Sequence, residues 1–530
     1  MLQHFLSERG FYLGSMFEQA ARVHGTTAVT LDRPLDVAPE RGTDLTYASV
    51  ADLVDDLAAR LWAAGVRTGE QVAVYKSDNF DIALLACAIS RVGAIPALLS
   101  PTLDSDVVGK LVRRLDRPWL ITDRAKLGGD SAPIGVGRVL VVGPGAAAVA
   151  EDIGGRPMAR FTGAKRRAEV RRGPREPALI THSSGTTGLP KLAVHCPNTL
   201  WNRLVPQKLM GWPTRGETAA VCMSHVHSRF YHALGVFLHY GSPLLALVDH
   251  DPASVGPHLV RARPGIVETH PNTFILWEEL ATAADAPLKS VRCFSSTFDA
   301  IHPRTIQRLL GSSERRFAYL MQLYGQSETG PIAARWFTRR SAAKANGRLV
   351  GTALPGFTRL RIVDDAGQPC ATGVLGHIEA RTRGRILTYL GAEDQFAGQV
   401  NGSWWRMGDV GHANRWGALY LTDREVDQID SVDSNLELED LLMSRLDELR
   451  EVVIVAGDSG QAIPVICTKA DLPLSPGRWQ QATADLPAMA VPVECRFDDL
   501  PRTGTWKIKR LEIARQLSEG RMLVSSGSVR

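Results

Sequence analysis

Apolar residues in the first part of the chain recur at two periods. Leu53, Leu57, Leu61 and Trp62 fall at helical spacing and predict an amphipathic helix ended by Gly65. Met16, Phe17, Ala20 and Val23 repeat that pattern behind Ser15 and Glu18, whose spacing predicts a capping box. Between the helical stripes stand short continuous apolar runs, Val72 to Tyr75, Ile95 to Leu99, Leu120 to Thr122 and Val139 to Val142. With the helix predicted over Asp81 to Val92, they give the helix–strand alternation of a parallel sheet.

The texture changes from Gly351 onward. Turn signals at Asp365 to Gly367 and at Gly373 separate β-rich runs and suggest a small β unit. After Arg424 a compact α/β piece is expected: an acidic helix near Glu437 to Glu448, strands at Val452 to Val455 and Pro464 to Cys467, and a last basic helix. The fold class read from the pattern is α/β, with a large N-terminal layered α/β domain carrying a small β subdomain and a small α+β C-terminal domain. No internal repeat or low-complexity tract interrupts it.

Length and composition narrow the classes. At 530 residues the chain exceeds one hydrophobic core. Its 44% hydrophobic and 22% charged residues describe an ordinary globular protein. No run approaches the roughly 20 apolar residues that span a bilayer, and the start MLQHFLSERG has no apolar signal core, so no membrane partner and a cytoplasmic location are expected. Seven cysteines without a CxxC pair fit neither a disulfide framework nor a zinc knuckle. The net charge of +5 is concentrated in Ala159 to Arg175, a stretch without interleaved aromatics that reads as a solvated connector, not a nucleic-acid surface.

The candidate chemistry begins at Thr181 to Lys191, THSSGTTGLPK. Gly185 and Gly188 allow close backbone approach to an anion, the hydroxyls donate, and Lys191 adds a cation, so the run is suited to wrapping phosphates. It is not a Walker A loop, because the lysine spacing differs. Four further segments follow: YGQSETGP at Tyr324 to Pro331, SWWRMGDVG at Ser403 to Gly411, LTDREVDQID at Leu421 to Asp430, and PRTGTWKIKR at Pro501 to Arg510. In order and spacing the five resemble the adenylate-forming enzymes: acyl- and aryl-CoA synthetases, adenylation domains and luciferases.

That resemblance implies ATP and Mg2+, a domain boundary between residues 1–423 and 424–530 with a mobile second domain, and a set of roles. Ser183, Ser184, Gly185, Thr186, Thr187, Gly188 and Lys191 would hold the β- and γ-phosphates. Tyr324, with Gly325, would pack on the adenine, Ser327 would bond the α-phosphate, and Glu328 would ligate magnesium, a hard cation suited to oxygen ligands. Asp409 would bind the ribose hydroxyls, with Met407 where relatives carry a threonine, and Arg424 would touch ribose and phosphate. Lys507 would reach the α-phosphate and the attacking oxygen, beside Trp506 where relatives have glycine.

Two departures from the family pattern bear on the substrate. Relatives read SGGAP where this chain has SSTFDA at Ser295 to Ala300, so Thr297 and Phe298 should shorten the acyl pocket. Past the hinge, Val426, Asp430 and Asp433 replace residues that serve domain rotation and the pantetheine tunnel, and Asp433 is expected to obstruct a thiol. His225, His227, Arg229 and His232 lie in the substrate-wall segment Met223 to Gly235, where Arg229 or a histidine would pair with a substrate carboxylate or phenolate.

The function expected is ATP- and Mg-dependent activation of a small, aromatic acid as an AMP mixed anhydride with release of pyrophosphate. CoA or a carrier protein is a candidate acceptor, though CoA transfer is in doubt. An alternative is the diazotase branch of the superfamily, in which ATP activates nitrite for capture by an aryl amine of the aminobenzoate or aminocinnamate type. A third reading, a catalytically inactive nucleotide-binding paralogue, conflicts with retention of Lys507. The sequence leaves the oligomeric state open.

Overall fold

The computed structural model of the protein describes residues 10–127, 136–183, 189–503 and 506–522. The first amphipathic stripe forms the helix Tyr47–Ala64, buried through Val50, Leu53, Leu57 and Leu61. Thr46 and Ser49 close a capping box at its start, and Gly65 ends it at φ +106°, a left-handed conformation that favours glycine. The expected Ser15–Glu18 box is not made. Ser15 Oγ instead accepts from Gln19 Nε2 at 3.0 Å, and Glu18 pairs with Arg22 and Arg91, because two guanidiniums outcompete a backbone amide for that carboxylate.

The predicted apolar runs become Gln71–Val74, Ile95–Leu98, Trp119–Asp123 and Val139–Val142. They pair in parallel within an eight-stranded sheet, beside the antiparallel pair Leu179–His182 and Leu192–His195. A second sheet has fourteen strands. Its parallel part runs through Ala219–Cys222, Ile266–Thr269, Cys293–Ser296 and Tyr319–Gln326. The β-rich segment after Gly351 extends that same sheet in antiparallel fashion through Gly330–Thr338, Leu349–Ala353, Ala418–Arg424 and Trp404–Ala413. It is thus continuous with the parallel strands. Helices Tyr47–Ala64, Asp81–Arg91 and Ser228–Tyr240 bury their apolar faces in one core shared by both sheets.

The C-terminal part has its own three-stranded sheet, Leu449–Ala456, Ala462–Thr468 and Val493–Glu494, flanked by helices Asn435–Arg445 and Arg510–Ser518. Among the described residues no helix is long and apolar enough to cross a membrane. Polar contacts join this part to the rest. Arg348 pairs with Glu437 at 2.8 Å, Arg308 with Asp447, and Arg450 with Glu279. His302 stands between two carboxylates, Nδ1 to Asp440 at 2.8 Å and Nε2 to Glu451 at 3.2 Å.

Burial disfavours a charge on His302, but Asp440 and Glu451 overcome it and hold the imidazole well above its usual range. A raised folded value means that the contribution is complete below the reference value of 6.5 and fades as pH rises through the folded one. His302→Leu, which leaves two carboxylates without their cation, is therefore expected to lower the melting temperature by roughly 5 °C at pH 6. The deficit should shrink at strongly alkaline pH. Equal deficits at both pH values would remove the ionic role of this residue.

Candidate functional site

The strands of the large sheet end in a cavity of about 380 Å3, closed on its far side by the C-terminal part. Ser183 and Lys191 bracket the glycine-rich loop and both line it. The Ser183 amide donates to the Lys191 carbonyl at 2.9 Å, and the Lys191 amide donates to Ser183 Oγ at 3.0 Å, so the two ends of the loop are pinned together. Ser184, Gly185, Thr186, Thr187 and Gly188 lie outside the described residues. Tyr324 and Gly325, at the end of the strand Tyr319–Gln326, and Ser327 and Glu328, in the turn after it, line the cavity. A Cβ on Gly325 would stand 2.1 Å from the Gly330 carbonyl oxygen, so the tightness of that turn requires glycine.

Asp409 and Arg424 are cross-strand partners in register, which sets opposite charges side by side on the cavity wall. Tyr324 Oη donates to Asp409 Oδ2. Burial pushes the Asp409 carboxyl above its ordinary range, against the opposing pull of Arg424, Tyr324 and Lys507. Lys507 reaches the same cavity from a tight hairpin in which Thr503 and Lys507 bond backbone to backbone at 2.8 Å. Desolvation, then the neighbouring Arg424 charge, lower its ammonium to about 8, and Asp299, Asp409 and Glu328 limit the fall. Glu328 Oε1 accepts from Tyr389 Oη at 2.6 Å, and its second oxygen has no partner among the described residues. A carboxylate with one oxygen unspent, facing a phosphate-sized space, fits a hard divalent cation.

The substrate wall is less uniform. His227 lines the cavity, as do Arg229, Thr297 and Phe298. The expectation for His225 is corrected: its ring is buried between Phe80 and Phe230, bonded to Asp78 Oδ1 at 3.0 Å, and does not line the cavity. That for Arg229 is corrected in part. Its guanidinium already pairs with buried Glu268 and donates to Gln207 Oε1 at 2.6 Å, so a substrate carboxylate would meet a neutralised charge. His232 is committed to the carbonyls of Ser228 and Leu200. A second, small cavity of about 40 Å3 shares Arg229 and Leu323 with the first in its lining.

Phe298 adopts φ +85° and Trp506 φ +60°, both in the left-handed region. The glycine-like backbone is kept while the side chain is aromatic, a strain of about 1 kcal/mol or more that persists only where surroundings enforce it. What they build is a row of rings. Phe298 lies 4.8 Å from His270, His270 6.1 Å from His250, and His250 4.4 Å from Trp506. Phe298 lines the cavity, as does Val426, while Asp433 is exposed and does not line it.

Sequence reading missed Arg203. It is 3% exposed, lines the cavity, and has no carboxylate within ion-pair distance among the described residues. It donates to the carbonyls of Gly384 at 2.6 Å, Ser327 at 3.0 Å and Glu328 at 2.8 Å, and to Ser228 Oγ at 3.1 Å. Arg203 therefore fixes the turn that carries Glu328. Mid-helix in an ordinary run, it gave no sequence signal.

A family model described as AMP-binding enzyme matches residues 16–390. The chain is 54% identical, over 97% of each protein, to a 3-amino-2-hydroxy-4-methoxybenzoate diazotase of Streptomyces cremeus. It is 24% identical, over 89% of this chain and 90% of the relative, to a 4-chlorobenzoate–CoA ligase of an Arthrobacter species. Among solved structures it is similar to a benzoate CoA ligase from Burkholderia xenovorans, with a TM-score of 0.77 at 17% identity over 95% of this chain and 100% of that one.

Two outcomes follow from the geometry. The Lys507 ammonium is intact below about 8 and lost as pH rises through that value, so kcat/KM for pyrophosphate release, which reports the free enzyme, should fall above about pH 8. Lys507→Ala should lose about 10²- to 10³-fold in rate and that alkaline limb with it. At position 298, glycine accepts φ +85° without strain whereas alanine does not. Phe298→Gly is expected to be more stable than Phe298→Ala by about 1 kcal/mol in denaturant melts, the reverse of the order at an ordinary position.

Proposed function

The chain belongs to the AMP-binding enzyme family, and on that premise we propose that it is an ATP-dependent diazotase. It would join nitrite to the amine of an amino-substituted aryl acid and release AMP and pyrophosphate. The observation that carries this reading is the 54% identity to a diazotase over nearly the whole of both chains. The aromatic side chains at Phe298 and Trp506, where relatives carry small residues, support it, since a small oxyanion needs little space and no thiol has to enter.

In this reading a nitrite oxygen attacks the α-phosphorus of ATP and pyrophosphate leaves, giving a nitrosyl adenylate. The amine nitrogen attacks the nitrosyl nitrogen, the N–O bond to AMP breaks, and the amine nitrogen gives up a proton. The N-nitrosamine tautomerises to the diazohydroxide, whose oxygen takes up a proton and leaves as water to give the diazonium. Lys507 and Arg424 supply positive charge where the α-phosphate gains negative charge, and Lys191 does so at the departing pyrophosphate. Asp409 accepts from the ribose hydroxyls, and Ser327 donates to the α-phosphate. Magnesium, when bound at Glu328, neutralises phosphate charge. Arg203 keeps Glu328 in place.

The residues after the hinge, 424–530, form a domain of their own in this reading, with the boundary at Arg424. Seven free cysteines accord with a reducing, cytoplasmic setting. The second reading is activation of a small aromatic acid itself, as the aryl ligase relative suggests. AMP formation separates the two. With an aminohydroxybenzoate present, AMP and pyrophosphate should appear only when nitrite is added, and the aryl amine should be consumed. Release of AMP driven by the acid alone, unchanged by nitrite, would sink the diazotase reading and leave the ligase.

A further inference from the structure

Buried polar atoms in folded proteins nearly all have hydrogen-bond partners. Among the described residues, four that have none belong to residues lining one cavity: Thr297 Oγ1, Gln322 Oε1, His227 Nε2 and Arg229 Nε. They arrive from separate places in the fold. Thr297 follows the strand Cys293–Ser296, Gln322 lies in the neighbouring strand Tyr319–Gln326, and His227 caps the helix Ser228–Tyr240, whose first turn holds Arg229. Thr297, Gln322 and His227 are 4%, 2% and 3% exposed, so their partners have to come from within the cavity. Polar groups gathered from a helix start, a strand and a strand end around a single space point to a polar ligand.

The character of these atoms specifies the ligand. One ring nitrogen of His227 is engaged with the backbone of His182, and the atom left without a partner is Nε2. A neutral imidazole that gives its proton to a carbonyl through Nδ1 keeps the lone pair on Nε2, which is then an acceptor. The Gln322 carbonyl oxygen is an acceptor too. Two unspent acceptors call for two donors, and Arg229 Nε–H with the Thr297 hydroxyl offers donation to oxygen nearby.

We propose that Gln322 Oε1 and His227 Nε2 receive the two N–H bonds of an aryl –NH2 group, with Thr297 and Arg229 facing an adjacent oxygen substituent, so that these residues select an arylamine over arenes of the same shape. This rests on the reading of an arylamine substrate and names the residues that recognise it. An arene with methyl in place of the amine would bury both acceptors unpaired, which typically opposes binding by tenfold or more.

The test is binding without ATP or nitrite, by calorimetry, of 3-amino-2-hydroxybenzoate and of 2-hydroxy-3-methylbenzoate. The protein should prefer the amine by about tenfold or more, and Gln322→Met should reduce that preference to about threefold or less. His227→Phe, which keeps a ring in place, should do the same if Gln322→Met does not fold. Both ligands are read on one variant, so general loosening weakens both and leaves the ratio unchanged. No preference in the unaltered protein, or a preference that survives both substitutions, overturns the assignment. The two readings fail separately: an amine preference stands even where AMP formation ignores nitrite, and nitrite-dependent AMP formation without an amine preference removes only this subsite.

Discussion

A lysine ammonium held in a desolvated cleft beside a guanidinium is the interaction on which the site depends. Lys507 comes from the C-terminal part, Arg424 ends a strand of the large sheet, and each is tolerated only because Asp299, Asp409 and Glu328 surround them. Like charges this close, away from water, hold together only under such compensation, and they present a field suited to an anion more highly charged than any side chain. The cross-strand register of Asp409 and Arg424, the pinned ends at Ser183 and Lys191, and the clamp of Arg203 on the Ser327–Glu328 turn all serve to fix that field.

Holding Lys507 there requires the seam between the two parts to be made. Its polar contacts lie at several separated points, Arg348 to Glu437, Arg308 to Asp447 and His302 to Asp440 and Glu451. Trp506, next to Lys507, adds a contact of another kind by packing its ring at a tilt against His250. Exposed ion pairs contribute little singly. The half-buried His302 bridge and the ring contact carry more of the orientation, and the ring contact lies next to Lys507.

The same rings set what the enzyme can accept. At positions 298 and 506 the backbone still has the left-handed geometry that glycine adopts without strain, while the side chains fill the space that glycine would leave open. Strain at such positions is maintained by packing against His270 and His250. At Phe298 it sets an aromatic ring on the cavity wall, and so ties the lining of the site to a backbone conformation.

What the sequence determined by itself was what local spacing and residue type encode. The helix ended by Gly65, the short parallel strands and the five motifs were legible because hydrophobic period, left-handed glycine and phosphate-binding hydroxyls are properties of adjacent residues. The place of Thr297 and Phe298 on the cavity wall was legible from their position ahead of the tyrosine motif. Tertiary structure decided the rest, because a side chain's partners come from distant segments. Ser15 looked like half of a capping box until Arg22 and Arg91 claimed Glu18. His225 looked like a substrate ligand until Asp78 occupied it. Arg203 and Gln322, silent in the sequence, gained meaning only when the fold buried one charge without a carboxylate and one amide without a partner against the same cavity. Spacing specifies which groups are available, and only the packed chain specifies which of them remain free to act.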